Sequence, residues 1–236
     1  MINTLKGFLY KITEIDEHIA ITMFTLMSKY YDNLKLENFL NDLTDKDCVI
    51  LLKNLKDEIK GFTTLKIYDF EVDKFNIKVV YSGDTIVEKS YTWELELHRC
   101  WGKFVFDLVS MQPDYRFYWL LISKGHKTYK FLPIYFKTFY PCYHEETPLF
   151  EKKIMDMFGN LKFHKDYDPH AGLIYNGGNK DFLKKGQLLI PKEPKSNPHI
   201  NFFLNKNPEF FKGNELMCIT RLSWDNLQKT YYRLMR

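Results

Sequence analysis

The chain has 236 residues, with 34 Lys and Arg against 30 Asp and Glu, a formal net charge of +4. At about 150 residues per domain, this length suits one large domain or one domain with an appendage. An apolar fraction of 45% with 27% charged residues supplies a core and excludes a disordered chain. The charge is mild and spread along the chain, so no nucleic-acid partner is expected. No apolar run approaches the roughly 18–20 residues of a membrane span, so none is expected. The first residues carry no charged-then-apolar leader with a small-residue cleavage site. Cys48, Cys100, Cys142 and Cys218 lie far apart without a CxxC pair. That usage reads as reduced thiols and a cytoplasmic protein. The 20 Phe, 16 Tyr and 4 Trp serve either a ring-heavy core or a ring-lined cleft.

In chain order, GFLYKI (7–12) predicts a short strand. Residues 15–31 predict an amphipathic helix, with Ile19, Met23, Leu26 and Met27 at helical spacing. A second helix is expected at 35–43. CVILLK (48–53) reads as a buried strand, followed by a polar turn and the alternating segment 59–70. A third strand over 75–88 has Ser82–Gly83 where a bulge or kink fits. Residues 92–111 predict a helix with Thr92 as N-cap and Glu94 in its first turn, ended by Pro113. FYWLLIS (117–123) reads as a central strand. Gly125 and Thr128 open a further helix, TYKFLPIYFKTF, which contains Pro133. Thr147 and Pro148 start a helix over 147–158, and 172–176 predicts a short strand. Residues 177–200 read as loops. Segments 197–211 and 215–222 resemble strand, turn and strand, before a basic C-terminal helix.

The expected fold class is therefore α/β, an α+β sandwich with one mixed central sheet flanked by helices. The reading assigns 1–146 to a core. It assigns 147–236 to a C-terminal strand and helix extension that completes the sheet or lids a cleft, within one compact domain.

This order, with CVILLKNLKDEIKGFTTLKIY and its I-x-G-F-x-x-L strand, resembles the GNAT superfamily of acyl-CoA-dependent N-acyltransferases. TYKFLPIYFKTFY is similar to the family's fourth-helix pattern, with Thr128 at its asparagine position and Tyr135 at its tyrosine. The resemblance implies a divergent branch with acyl-CoA, or an acyl carrier protein, as donor and an amine as acceptor. The acceptor is a small molecule or a peptide or protein side chain. It implies Tyr135 as general acid for the leaving thiolate. Backbone N–H groups near Ile86 and Val87 would stabilise the developing oxyanion. The family's Q/R-x-x-G-x-G/A pyrophosphate loop falls on EKSYTWELELHRCW (88–101), which has no glycine there. Lys89, Ser90 and Thr92 are left as donors to the phosphates. Asp84, a carboxylate in an apolar strand, is the candidate base unless it is a turn residue.

Other constellations compete with this reading. SKGHKTY (123–129) joins a strand to a helix with Gly125, Lys124, His126 and Lys127, and serves either as an anion site or as an ordinary loop. His144, His164 and His170 lack the i, i+4 spacing of a helical zinc site, so no metal is expected. There is no GxSxG elbow. Cys142 beside His144 is a poor nucleophile signal. The alternative function is a non-catalytic module that keeps the fold and binds a protein or small ligand. The splay between strands ending at Val87 and beginning at Phe117 separates the two. An open splay suits pantetheine, and one filled by Trp93, Trp101 or Trp119 suits the module.

Overall fold

A computed structural model describes residues 4–91, 95–177, 181–184 and 197–236. The chain starts with β1 (Lys6–Lys11), α1 (Glu17–Ser28), a two-residue strand β2 (Tyr31–Asp32) and α2 (Leu36–Thr44). Three long strands follow: β3 (Cys48–Lys53), β4 (Ile59–Val72) and β5 (Phe75–Val87). Then come α3 (Glu96–Met111), β6 (Arg116–Ser123), α4 (His126–Tyr129), α5 (Phe131–Tyr135) and α6 (Leu149–Phe163). The remainder comprises β7 (Tyr167–Asp168), β8 (Leu173–Ile174), β9 (Phe182–Leu183), α7 (Pro198–Lys206), β10 (Glu215–Arg221) and α8 (Lys229–Met235).

Eight strands form one sheet in the order β1-β3-β4-β5-β6-β10-β8-β7, while β2 and β9 pair separately. Every pair in the large sheet is antiparallel except β5 with β6, which α3 connects as a crossover. The sheet divides two cores by simple alternation. From β3, Val49 and Leu51 face α1 and α2, where Met23, Met27, Phe39 and Leu43 meet them. Ile50 and Leu52 face the larger core with Trp101, Val105 and Phe106 of α3. Successive side chains point to opposite faces, so one unbroken apolar run fills both layers. α1 begins where the Asp16 carboxylate accepts the Ile19 N–H at 2.7 Å.

Several segments differ from expectation. The first helix ends at Ser28, and Tyr31 instead pairs with Leu183 in the small sheet. Thr92 and Glu94 lie outside the described residues; the described helix begins at Glu96, with Leu95 as an N-cap that lends no side-chain bond. TYKFLPIYFKTF is not one helix. Pro133 has no N–H to offer the Tyr129 carbonyl, so α4 and α5 are separate turns. Phe136 is already extended and bridges to Leu227. Segment 197–206 is helical rather than a strand. Asn197 caps the His199 and Ile200 N–H groups and Pro198 takes the first turn, an N-terminus signal that outweighs the Phe-rich text.

The feature that shapes the site is where β5 and β6 part. Their pairing runs from Ile77 with Arg116 to Ser82 with Leu121 and stops there. An extra residue at Gly83–Asp84 bulges β5 against β4, as the sequence suggested, and β5 continues to Val87 beside β4 alone. At the fork, the indole N–H groups of Trp101 and Trp119 both donate to the Ser82 hydroxyl, at 3.1 and 3.0 Å. The two rings lie 4.6 Å apart between centroids. Replacing Ser82 by Ala strands two buried donors at about 1–3 kcal/mol each. Ser82→Ala is therefore expected to lower unfolding stability by several kcal/mol in urea titrations. A loss below about 1 kcal/mol would show that the indoles find other partners.

Candidate functional site

Beyond the fork, the diverging strands enclose a cavity of about 720 Å³. This lies within the roughly 300–1,000 Å³ of small-ligand sites. One wall is β5, residues 83–87, whose edge toward β6 has lost its strand partner. The opposite wall is Leu121, Ile122 and Lys124 of β6 with its following loop, then Lys127 and Thr128 of α4. Trp101 and Trp119 form the floor. Tyr135, Phe131, His98 and Tyr231 form an aromatic side, and Tyr31, Asp42, Asp181 and Glu215 line a polar side.

Gly83 is required by close packing rather than by a turn. A Cβ there would come within 2.5 Å of Thr64 Oγ1 and 2.8 Å of Lys46 Cε. Behind it, the fully enclosed Lys46 ammonium donates to the Asp42 carbonyl at 2.7 Å and to the Asp42 carboxylate. Lys162 adds a second bond to Asp42 at 3.2 Å. Burial pushes the Asp42 carboxyl upward, but the two ammonium groups outweigh it and hold the net value below the ordinary range. Asp84 is in the opposite situation. No described residue hydrogen-bonds its carboxylate; burial first, then the Asp42 charge, raises its pKa from 3.8 to about 6.

The two expected catalytic residues thus share one cavity. Tyr135 ends α5 with its ring stacked on Tyr231, centroids 4.1 Å apart, and burial lifts its phenol to about 12. His98 lies 5.3 Å from the Tyr135 ring and 4.4 Å from that of Phe131. Burial lowers its pKa to about 4, so this imidazole is neutral at physiological pH. The Tyr231 hydroxyl donates to the His98 carbonyl at 2.9 Å and fixes α8 against α3.

Of the expected donor-binding residues, Ile86, Val87 and Thr128 line the cavity. Lys89 and Ser90 do not: they sit on an exposed turn after β5, where the Lys89 N–H donates to the Tyr30 phenol at 2.7 Å. Thr92 lies outside the described residues. The SKGHKTY segment also differs from a free anion cradle. Lys124 is held by Asp181 at 2.7 Å and Glu215 at 3.7 Å, and His126 is buried. Tyr31, Asp42, Lys162 and His98 were not singled out as site residues. Their contribution arises from chain crossings, and only the i, i+4 pair Asp42–Lys46 carried any local signal.

Comparisons with solved structures return GNAT proteins at low similarity. Acetyl-CoA-bound NAA60 of Arabidopsis thaliana is 16% identical, with a TM-score of 0.41, covering 60% of this chain and 92% of that one. The CoA-bound Escherichia coli GNAT family N-acetyltransferase YhbS is 12% identical, with a TM-score of 0.38 over 52% of this chain and 66% of that one. A conserved Enterococcus faecalis V583 protein with a suggested N-acyltransferase activity is 13% identical, with a TM-score of 0.41 over 58% of this chain. This chain spans 33% of the length of that protein. No protein-family model and no curated protein sequence matches the chain. The described residues form an α/β architecture with one parallel strand pair, β5 with β6, and helices on both faces of the large sheet. No helix among the described residues is long and apolar enough to cross a membrane.

Asp84 binds its proton more tightly in the folded chain than in the unfolded one, so its ionisation opposes folding. Stability is lost as pH rises from about 4 to about 6, and a shift of about two units corresponds to about 3 kcal/mol. Asp84→Asn is expected to exceed the native chain in stability at pH 7.5 by up to that amount, with the two converging near pH 4. Urea midpoints at both pH values check this, and an equal gain at both would contradict the raised pKa.

Proposed function

We propose that the chain is an N-acyltransferase that moves an acyl group from acyl-CoA, or an acyl carrier protein, to an amine by direct attack. The observation that carries this reading is the open splay, with Asp84 and Tyr135 on the walls of one cavity. Among the described residues the tryptophan pair fills only the floor and leaves the space above it to an extended thioester arm; Trp93 lies outside those residues.

A pantetheine arm is a narrow, extended chain with amide groups. The unpartnered edge of β5 from 83 to 87 offers it the donors and acceptors that β6 has ceased to supply. The phosphate end fits less well. Segment 88–95 has no glycine for close backbone approach, and Lys127 and Thr128 are the cavity residues suited to an anion. This distribution suits a carrier protein as well as CoA, since both present the same arm.

On the acceptor side, the lining places Asp42, Asp84, Asp166, Asp181 and Glu215 against Lys124, Lys127 and Lys162. Asp42, Asp181 and Glu215 are held in ion pairs with lysines, which leaves Asp84 to meet an incoming ammonium group. Asp84, with its pKa near 6, takes the proton that must leave the amine as the new N–C bond forms. Backbone N–H groups near Ile86 and Val87 stabilise charge on the carbonyl oxygen. Tyr135 supplies a proton to the departing sulfur as the C–S bond breaks. The phenol is protonated at neutral pH, as a general acid must be.

Thermal titration with acetyl-CoA, a long-chain acyl-CoA and an acylated carrier protein tests the donor. At about 100 times its dissociation constant, a bound donor stabilises the fold by about 2.7 kcal/mol. Tyr135→Phe is expected to retain that shift while losing about 10²–10⁴-fold in transfer rate. The native rate should rise with pH through about 6 as Asp84 ionises. Absence of a shift with all three donors would sink this reading and favour the non-catalytic module.

A further inference from the structure

The loop between α5 and α6 holds a cluster that belongs to no wall of the cavity. Cys142, His144 and Glu145 each bring one ligand-type atom to a common point, all within 4.8 Å of one another. Cys142 Sγ is 3.7 Å from His144 Nε2, and that nitrogen is 3.5 Å from Glu145 Oε1. Zinc bonds of about 2.3 Å to sulfur and about 2.0–2.1 Å to nitrogen and oxygen, at tetrahedral angles, place such ligands about 3.6 Å and about 3.3 Å apart. The observed separations are within a few tenths of an ångström of both. As a plain hydrogen bond the Cys142–His144 contact is poor, because a thiol is a weak donor. The Sγ contact to the Glu145 carbonyl, at 3.6 Å, is no better.

The loop is anchored where the cluster begins. Tyr140 exchanges backbone hydrogen bonds with Ile219 of β10 at 2.8 and 2.7 Å. The Tyr129 phenol donates to the Pro141 carbonyl at 2.8 Å, and Cys142 itself is buried. Rigid placement of the first ligand lowers the entropy lost on binding.

A second observation comes from α7. His199 lies 5.0 Å from the Tyr143 ring, and Tyr143 lies 5.0 Å from the His144 ring, so one tyrosine flanks both histidines. His199 Nδ1 is buried, with no hydrogen-bond partner among the described residues. A buried ring nitrogen without a partner is costly unless something outside the described residues meets it.

We propose that Cys142, His144 and Glu145 bind a divalent zinc-class ion, with His199, across the Tyr143 ring, as the candidate fourth ligand. One thiolate with imidazoles and a carboxylate suits zinc, whereas calcium and magnesium select oxygen ligands. None of the four residues lines the cavity. The ion therefore acts as a structural clip between the α5–α6 loop and α7, independent of the acyl-transfer reading. Sequence spacing did not reveal it because the ligands stand in a loop, without the i, i+4 pattern of a helical site.

Titrating the purified chain with Co²⁺ tests the site without reference to activity. The expected result is one ion per chain, with a thiolate-to-cobalt charge-transfer band in the near ultraviolet, displaced by Zn²⁺. Zn²⁺ should also raise the melting temperature, and a chelator should reverse the rise. Cys142→Ser should lose the band. His144→Ala and the exposed-site change Glu145→Gln should each weaken binding about tenfold or more. Glu145→Gln serves as the control for folding, because Glu145 is exposed. Unchanged affinity in His199→Ala would remove His199 from the ligand set. No band in the native chain, or a band that survives in Cys142→Ser, would overturn the site.

Discussion

One hydroxyl stands where the sheet opens. Ser82 is the last residue of β5 paired with β6, and its oxygen accepts both indole N–H groups that close the base of the fork. A hydroxyl oxygen has two lone pairs, so one serine satisfies two tryptophans from different elements. Trp101 comes from α3 and Trp119 from β6, and this shared acceptor ties the crossover helix to the strand it precedes. The bulge at Gly83–Asp84 begins immediately afterward, and the free edge of β5, the cavity and its floor all follow from that junction.

The cavity divides its electrostatic work between paired and unpaired carboxylates. Asp42 is satisfied by Lys46 and Lys162, and Asp181 and Glu215 by Lys124, so these acids stabilise the structure as ion pairs. Asp84 has no such partner among the described residues, and burial, with the Asp42 charge, raises its pKa. Ionising a carboxyl whose pKa burial has raised is a local cost that folding alone does not require. On the aromatic side, His98 and Tyr135 are perturbed by burial alone, and both are neutral at physiological pH.

The elements most legible in the sequence were those where local pattern and tertiary environment agree. CVILLK is apolar on both faces because β3 is buried on both faces, and Ser82–Gly83 suggested the bulge that β5 carries. The misread segments are those where a local rule competed with composition. Pro133 splits the expected fourth helix, and Asn197–Pro198 starts α7 in text whose aromatic pairs suggested a strand. Lys89 and Ser90 were placed by alignment to a motif this chain lacks, and the exposed turn carries them away from the cavity.

The resemblance to the GNAT fourth-helix pattern pointed to Tyr135; the sequence by itself determined the alternation of strands and helices, the buried character of the central strands, and the candidacy of Asp84. These are properties of residue type and short-range spacing, which periodicity and side-chain chemistry express directly. Only the tertiary structure decided that β10 from the C-terminal region lies beside β6, that Lys124 is neutralised, and that Tyr231 stacks on Tyr135. It alone brought His199 to the Tyr143 that also flanks His144. Those contacts join residues tens to more than a hundred positions apart. No local propensity encodes such a meeting; it is set when strand pairing and the burial of both sheet faces fix where distant segments cross.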